Sequence, residues 1–290
     1  MQGWPDKMIY MRKSLLYKGA AFYYQLLPAT HPDKQRDTVI TLILIHGFPE
    51  SGSIFSHQIK ALQKYYTLLI PDLPGSGASD FNASLKSLSD FSEALHHITR
   101  EEHLTNMVII GHSMGGYIAL DYAKKYQESL IGIGLLHSTA YEDSPQKKQN
   151  RLKAISTMER FGGSRFLRAM IPTLFGEEFR HKQEGIIAQL MDQGAHFKTE
   201  ALQQYYQIMH DRNDSLALLK ELKVPVLFIA GSEDNSAPAG DLIHQSSLTR
   251  VSMIEVLEQV GHMGFLENPD KVNQILLSFL QFVQTQAMHP

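Results

Sequence analysis

Residues 108–120 read VIIGHSMGGYIAL: an apolar run, a serine fenced by small residues, and a second apolar run. The first run belongs to NMVII at 106–110, too short and too uniformly apolar for a surface helix, and predicts a buried strand. The second opens MGGYIALDYAKKYQ at 114–127, which has the length and spacing of an amphipathic helix. The joint itself, Gly111-His112-Ser113-Met114-Gly115, fits G-x-S-x-G. As a pentapeptide this is a common match, and a tight strand-to-helix turn with an incidental serine is the plainer alternative. Its weight comes from the strand before it and the helix after it, which force a sharp turn and lift a strained serine hydroxyl above the sheet. Gly111 and Gly115 remove the Cβ atoms that would collide at such a bend. The first amides of the following helix have no intrahelical partner and favour negative charge, so the backbone N–H of Met114 is the expected holder of an oxyanion.

Working outward, runs like NMVII recur at TVITLILI (38–45), YTLLI (66–70), LIGIGLL (130–136), VPVLFIA (224–230) and VSMIEVL (251–257). SLLYKGAAFYYQLL at 14–27 alternates around Gly19 and predicts a hairpin, followed by a polar loop, THPDKQRD. Amphipathic segments lie between most of the runs: IFSHQIKALQKY, SDFSEALHHITREE and PAGDLIHQSS, with ENPDKVNQILLSFLQFVQTQ as the final helix. Alternating strand and helix predicts an α/β chain, a mostly parallel sheet wrapped by helices. The rhythm fails over 140–223, where SPQKKQNRLKAISTMERF starts on Ser144-Pro145 and stops at Gly162-Gly163, and more helical segments follow without a strand. The expected organisation is therefore a core of residues 1–139 and 224–290 carrying a helical insertion, residues 140–223, on top of the sheet. Within that insertion KKQNRLK (147–153) reads as a solvated face, with a basic binding patch as the alternative.

A serine hydroxyl needs a base, and the base needs an orienting group. Of fourteen histidines, His262 is the expected base: it sits in VGHMGFLENPD, between Gly261 and Gly264, in the loop after the last strand. Loops beyond the carboxyl ends of parallel strands are where such sheets keep their sites. Asp234, in FIAGSEDNSAP just past another strand end, is the expected orienting acid, and Asp143 after LIGIGLLH is the alternative. Glu233, beside Asp234, should be solvated. A second oxyanion donor should come from His46-Gly47-Phe48-Pro49-Glu50-Ser51, where Gly47 allows close approach, the N–H of Phe48 is available and Pro49 has none. His46 should brace that loop, Asp72 should stabilise its turn in PDLPGSGASD, and His112 and His137 should be structural or line the site.

Composition narrows the classes further. A formal net charge of −3 and a sequence pI near 6.5 offer no basic excess for nucleic acid or anionic lipid. The absence of cysteine excludes disulfides, thiolate metal sites and a cysteine nucleophile. No apolar run approaches the roughly 20 residues of a membrane span, and the opening MQGWPDKMIYMRKSLLYKG has no continuous apolar stretch, so a cytoplasmic protein is expected. No metal or organic cofactor is expected. The expected partner is a small-molecule substrate, with neither nucleic acid nor membrane, and the chain is expected as a monomer or homodimer.

HGFPES, DLPGSGASD, GHSMGGYIAL, GSEDNSAP and VGHMGFLENPD together, spanning almost the whole chain in order, resemble the α/β-hydrolase superfamily. The resemblance implies a Ser113, Asp234, His262 triad, which follows the chain order of that superfamily, and a cap after the sixth strand. HGFP is similar to the segment in epoxide hydrolases and haloalkane dehalogenases, but those carry aspartate at the elbow where this chain has Ser113, which argues against alkyl-enzyme chemistry. The serine-nucleophile members include carboxylesterases, enol-lactone hydrolases, carbon-carbon bond hydrolases and proline iminopeptidases. The expectation is hydrolysis of a small, partly apolar ester or lactone through an acyl-enzyme. A carbon-carbon hydrolase and a non-catalytic or single-turnover receptor are the alternatives. Phe161, Phe166, Met170, Phe175 and Tyr205 are candidates to line an apolar pocket.

Overall fold

The computed structural model describes residues 12–31 and 40–288. The opening segment, most of the THPDKQRD loop and the first two residues of the 38–45 run lie outside them. Within them the chain forms one eight-stranded sheet in the order β1-β2-β4-β3-β5-β6-β7-β8. β1 (Arg12–Tyr17) and β2 (Ala20–Leu27) are the expected hairpin. It turns at Lys18 and Gly19, both at positive φ. β2 joins β4 (Thr67–Pro71) antiparallel, and every later pairing is parallel: β3 (Thr41–Ile45), β5 (Met107–His112), β6 (Leu130–Leu136), β7 (Val226–Gly231) and β8 (Ser252–Leu257).

The central strands are buried along their whole length, as a parallel sheet covered on both faces requires. The covering helices are α1 (Ser56–Leu62), α2 (Leu88–Glu101), α3 (Met114–Tyr126), and near the C-terminus α10 (Ala239–Ser246), α11 (Gly264–Glu267) and α12 (Pro269–Met288). α2 starts on a capping box, Ser87 with Asp90, which satisfies two amides reciprocally. The short α11, directly after His262, stands where a plain loop was expected.

Between β6 and β7 the described chain has helices and no strand: α4 (Pro145–Phe161), α5 (Gly163–Met170), α6 (Glu177–Lys182), α7 (Glu184–Gly194), α8 (Thr199–Asp211) and α9 (Leu216–Glu221). The Ser144 hydroxyl accepts from the Lys147 amide, Pro145 fills the first turn, and Gly162 ends α4 at φ 85°. These helices are bonded to the loops at the carboxyl edge of the sheet. The Tyr205 hydroxyl donates to the Pro74 carbonyl at 2.8 Å, and the Gln204 amide donates to the carbonyls of Asn82 and Leu85 at 2.8 and 2.7 Å. Among the described residues no helix is long and apolar enough to cross a membrane.

Candidate active site

Ser113 joins β5 to α3 with φ 49° and ψ −117°, a conformation that a non-glycine residue holds only when its surroundings impose it. They do so from both sides. The Ser113 amide donates to the Leu136 carbonyl at 3.0 Å, and its own carbonyl accepts from the Ser138 hydroxyl at 2.7 Å and the Gly116 amide at 2.9 Å. The glycines are sterically required, since a Cβ on Gly111 would lie 2.2 Å from the Gly115 carbonyl oxygen. The Gly47 backbone also lies against the serine: a Cβ there would come within 2.9 Å of the Ser113 Cβ.

His262 and Asp234 meet as the strand-end argument expects. The His262 Nδ1–H donates to Asp234 Oδ2 at 2.8 Å, and both residues are buried. Asp234 Oδ1 accepts from the amides of Ser236 (2.7 Å) and Ala237 (3.0 Å), and Oδ2 accepts a second imidazole, His137 Nδ1, at 3.2 Å. Burial opposes charge on this carboxyl, but the adjacent His262 and the hydrogen bonds from both imidazoles hold it far below the usual carboxylate range. Burial pushes His137 down to about 4, so it is a neutral donor through Nδ1. The alternative acid is otherwise engaged: Asp143 pairs with Arg151, with Arg212 at 2.8 Å and with Lys147 at 3.8 Å. Glu233 turns outward and accepts the Glu177 amide at 2.7 Å.

Beneath the site lies an ion pair that the sequence reading does not single out. His112 Nδ1 is 3.0 Å from each oxygen of the buried Glu50 carboxylate, and its Nε2 is 3.0 Å from the His262 carbonyl oxygen. Both ring nitrogens face acceptors, which calls for the imidazolium. Burial disfavours that charge, yet Glu50 and the His262 carbonyl raise the His112 pKa, and His112 in turn lowers Glu50 against the effect of burial. Glu50 also accepts the Gly47 amide at 2.8 Å, so one pair ties the 46–51 loop, the elbow and the His262 loop together. His46 does brace its loop: Nδ1 donates to the Gly47 carbonyl and Nε2 accepts from the Leu73 amide. Asp72 holds its turn through the Ala78 amide and reaches Gly52 as well.

Ser113 and His262 open into one cavity of about 330 Å³. Its apolar lining includes Phe48, Tyr117, Phe166, Met170, Leu174 and Tyr206. Of the residues expected to line a pocket, Phe166 and Met170 do. Phe161 is exposed, while Phe175 and Tyr205 are buried in the core. KKQNRLK is exposed at Gln149, Asn150, Leu152 and Lys153, as a solvated face requires, but Lys147, Asn150 and Arg151 also line this cavity, and the Arg151 side chain is only 11% exposed.

The family profile described as the alpha/beta hydrolase family matches residues 42–275. The chain belongs to that family. Among its relatives, the pimeloyl-acyl-carrier-protein methyl ester esterase of Xanthomonas oryzae pv. oryzae (strain MAFF 311018) is 27% identical over 251 residues, covering 83% of this chain and 95% of that protein. Lipase 1 of Psychrobacter immobilis is 24% identical over 263 residues, covering 84% of this chain and 78% of the lipase. A solved structure of a thermophilic esterase from Thermogutta terrifontis superposes with a TM-score of 0.85 at 25% identity, over 94% of this chain and 99% of that one.

This α/β hydrolase has a second, larger cleft of about 450 Å³ between the 49–54 and 75–81 loops and the end of α7, but neither Ser113 nor His262 reaches it. The donor atoms of His137, Asp234 and His262 lie within 4.8 Å of one another, a spacing that also suits a metal. Here both Nδ1 atoms lie at hydrogen-bond distance from the same carboxylate oxygen, 3.2 and 2.8 Å, so the three groups serve as one another's hydrogen-bond partners.

Proposed function

We propose that this α/β hydrolase is a serine esterase that cleaves a small, partly apolar carboxylic ester or lactone through an acyl-enzyme intermediate. The observation that carries the reading is His262, whose Nδ1 is bound to an ionised Asp234 while its ring faces the same cavity as Ser113. Relatives named esterase and lipase over most of their length support the ester class.

In the proposed reaction His262 Nε2 takes the hydroxyl proton as Ser113 Oγ attacks the acyl carbon, and the amides of Phe48 and Met114 hold the oxyanion. Collapse passes the proton to the departing alkoxide and leaves the acyl group on Ser113. Water then gives a proton to His262 and attacks the acyl carbon, and His262 returns that proton to Ser113 Oγ as the acid is released. Asp234 keeps the imidazole in the required tautomer and stabilises the imidazolium. Within the same proposal residues 140–223 act as the cap over a core of residues 1–139 and 224–290, and the protein is a cytoplasmic monomer or homodimer.

Incubation with a fluorophosphonate, followed by peptide mass spectrometry, tests the reading. A single adduct on Ser113 is expected, absent from Ser113→Ala and strongly slowed in His262→Ala. A wild-type protein that stays unlabelled, or that is labelled elsewhere, would overturn it.

A further inference from the structure

Helix α4 is polar and exposed along much of its length, yet Lys147, Asn150 and Arg151 line the cavity that holds Ser113 and His262, with Arg151 the most deeply set of the three. Positions i, i+3 and i+4 share one helix face, so this is a coherent wall. Lys147, Arg151 and Arg212 converge on Asp143, three cations against one carboxylate. The excess is positive and sits in a largely buried place.

The three cations are not equally occupied. Arg212 donates to the carbonyls of Met209 (2.9 Å) and Tyr141 (3.0 Å), pairs with Asp143 and lies 3.9 Å over the Tyr117 ring. Lys147 donates to the Ser236 carbonyl at 2.8 Å and keeps further donors. Arg151 uses only Nε, on Asp143, and its guanidinium stands 5.2 Å over the Tyr206 ring. Its two terminal nitrogens have no acceptor among the described residues, although the side chain is only 11% exposed. A largely buried arginine whose terminal nitrogens are open to a cavity presents the geometry that carboxylates fill with two parallel hydrogen bonds.

We propose that Arg151, assisted by Lys147, forms a subsite for a carboxylate carried by the substrate. The ester cleaved at Ser113 is then the half-ester of a dicarboxylic acid, or an ester of comparable anionic reach, whose chain lies against Phe166, Met170 and Tyr206. This rests on the serine-esterase reading and adds to it the charge of the substrate's far end. A purely apolar substrate would leave the terminal nitrogens of Arg151 dehydrated and unpaired.

The test is a ladder of monomethyl esters of straight-chain dicarboxylic acids, each beside the methyl ester of the monocarboxylic acid of equal length. The wild type should prefer the anionic member at one chain length. Arg151→Met should lower that preference, as a ratio of kcat/KM values and mainly through KM, by about 10- to 100-fold, with Lys147→Met giving a smaller loss. Circular dichroism establishes that each variant is folded. Equal handling of the two series by the wild type, or a ratio untouched by Arg151→Met, would overturn the subsite while leaving the esterase reading intact. Calorimetric titration with the free dicarboxylates reads the subsite without turnover: binding weakened in Arg151→Met supports it, and no binding to the wild type overturns it. Fluorophosphonate labelling judges the esterase reading separately.

Discussion

Asp234 accepts hydrogen bonds from two imidazoles and two backbone amides, and removing its charge leaves both imidazoles facing a neutral group. Asp234→Asn should reduce kcat by about 10⁴-fold with little change in fold, because the asparagine favours the wrong tautomer of His262; steady-state kinetics on a simple ester, with circular dichroism alongside, checks this. Glu50 has a different role. It touches no cavity shared with Ser113, yet it neutralises a buried His112 imidazolium, so Glu50→Gln should cost about 3–5 kcal/mol, read from denaturant unfolding. At this scale the sequence is legible where a residue's position along a strand-loop-helix unit decides its task. Ser113, Asp234 and His262 can be picked out for that reason. The tasks of Glu50, His112 and His137 depend on which side chains three separate loops bring into contact, and nothing local to HGFPES or GHSMG encodes that partner choice.

The parallel strands were readable because burial on both faces demands uninterrupted apolar runs, and the ends of α4 because Ser144-Pro145 and Gly162 act locally. The orientation of α4 was not. Helical periodicity says that Lys147, Asn150 and Arg151 share a face, but a polar face points equally well to bulk water or to a charged cavity. Leu152 is 47% exposed, and Leu152→Gln should change stability by no more than about 0.5 kcal/mol, by thermal or denaturant unfolding, despite removing a leucine from a helix. Gly111→Ala, by contrast, drives a Cβ into the Gly115 backbone and should cost about 3 kcal/mol or more, with Ser113 labelling lost in parallel.

Across the whole molecule, buried histidines make stability depend on pH in opposite directions, His46 and His137 being lowered by burial and His112 raised. His137 is depressed from 6.5 to about 4, so the unfolded chain binds the extra proton and stability is lost as pH falls from about 6.5 toward 4, by the order of 3 kcal/mol. His112 is raised, so its contribution is full below its unfolded pKa and is lost as pH rises through the folded value. Unfolding midpoints should therefore fall on both limbs, and His137→Asn should flatten part of the acid limb, to which the lowered His46 and Asp234 also contribute. The joints between the helices and the sheet loops carry one more consequence. The His262 amide donates to the Leu174 carbonyl at 2.6 Å, and the Gly176 and Glu177 amides donate to Glu267, at the end of α11, and to Glu233, next to Asp234. A protein engineer who transplants a foreign segment between β6 and β7 to alter substrate preference would be replacing a fastening of the His262 loop along with the pocket wall. Chimeras that keep residues 174–177 should retain turnover that otherwise identical grafts without them lose.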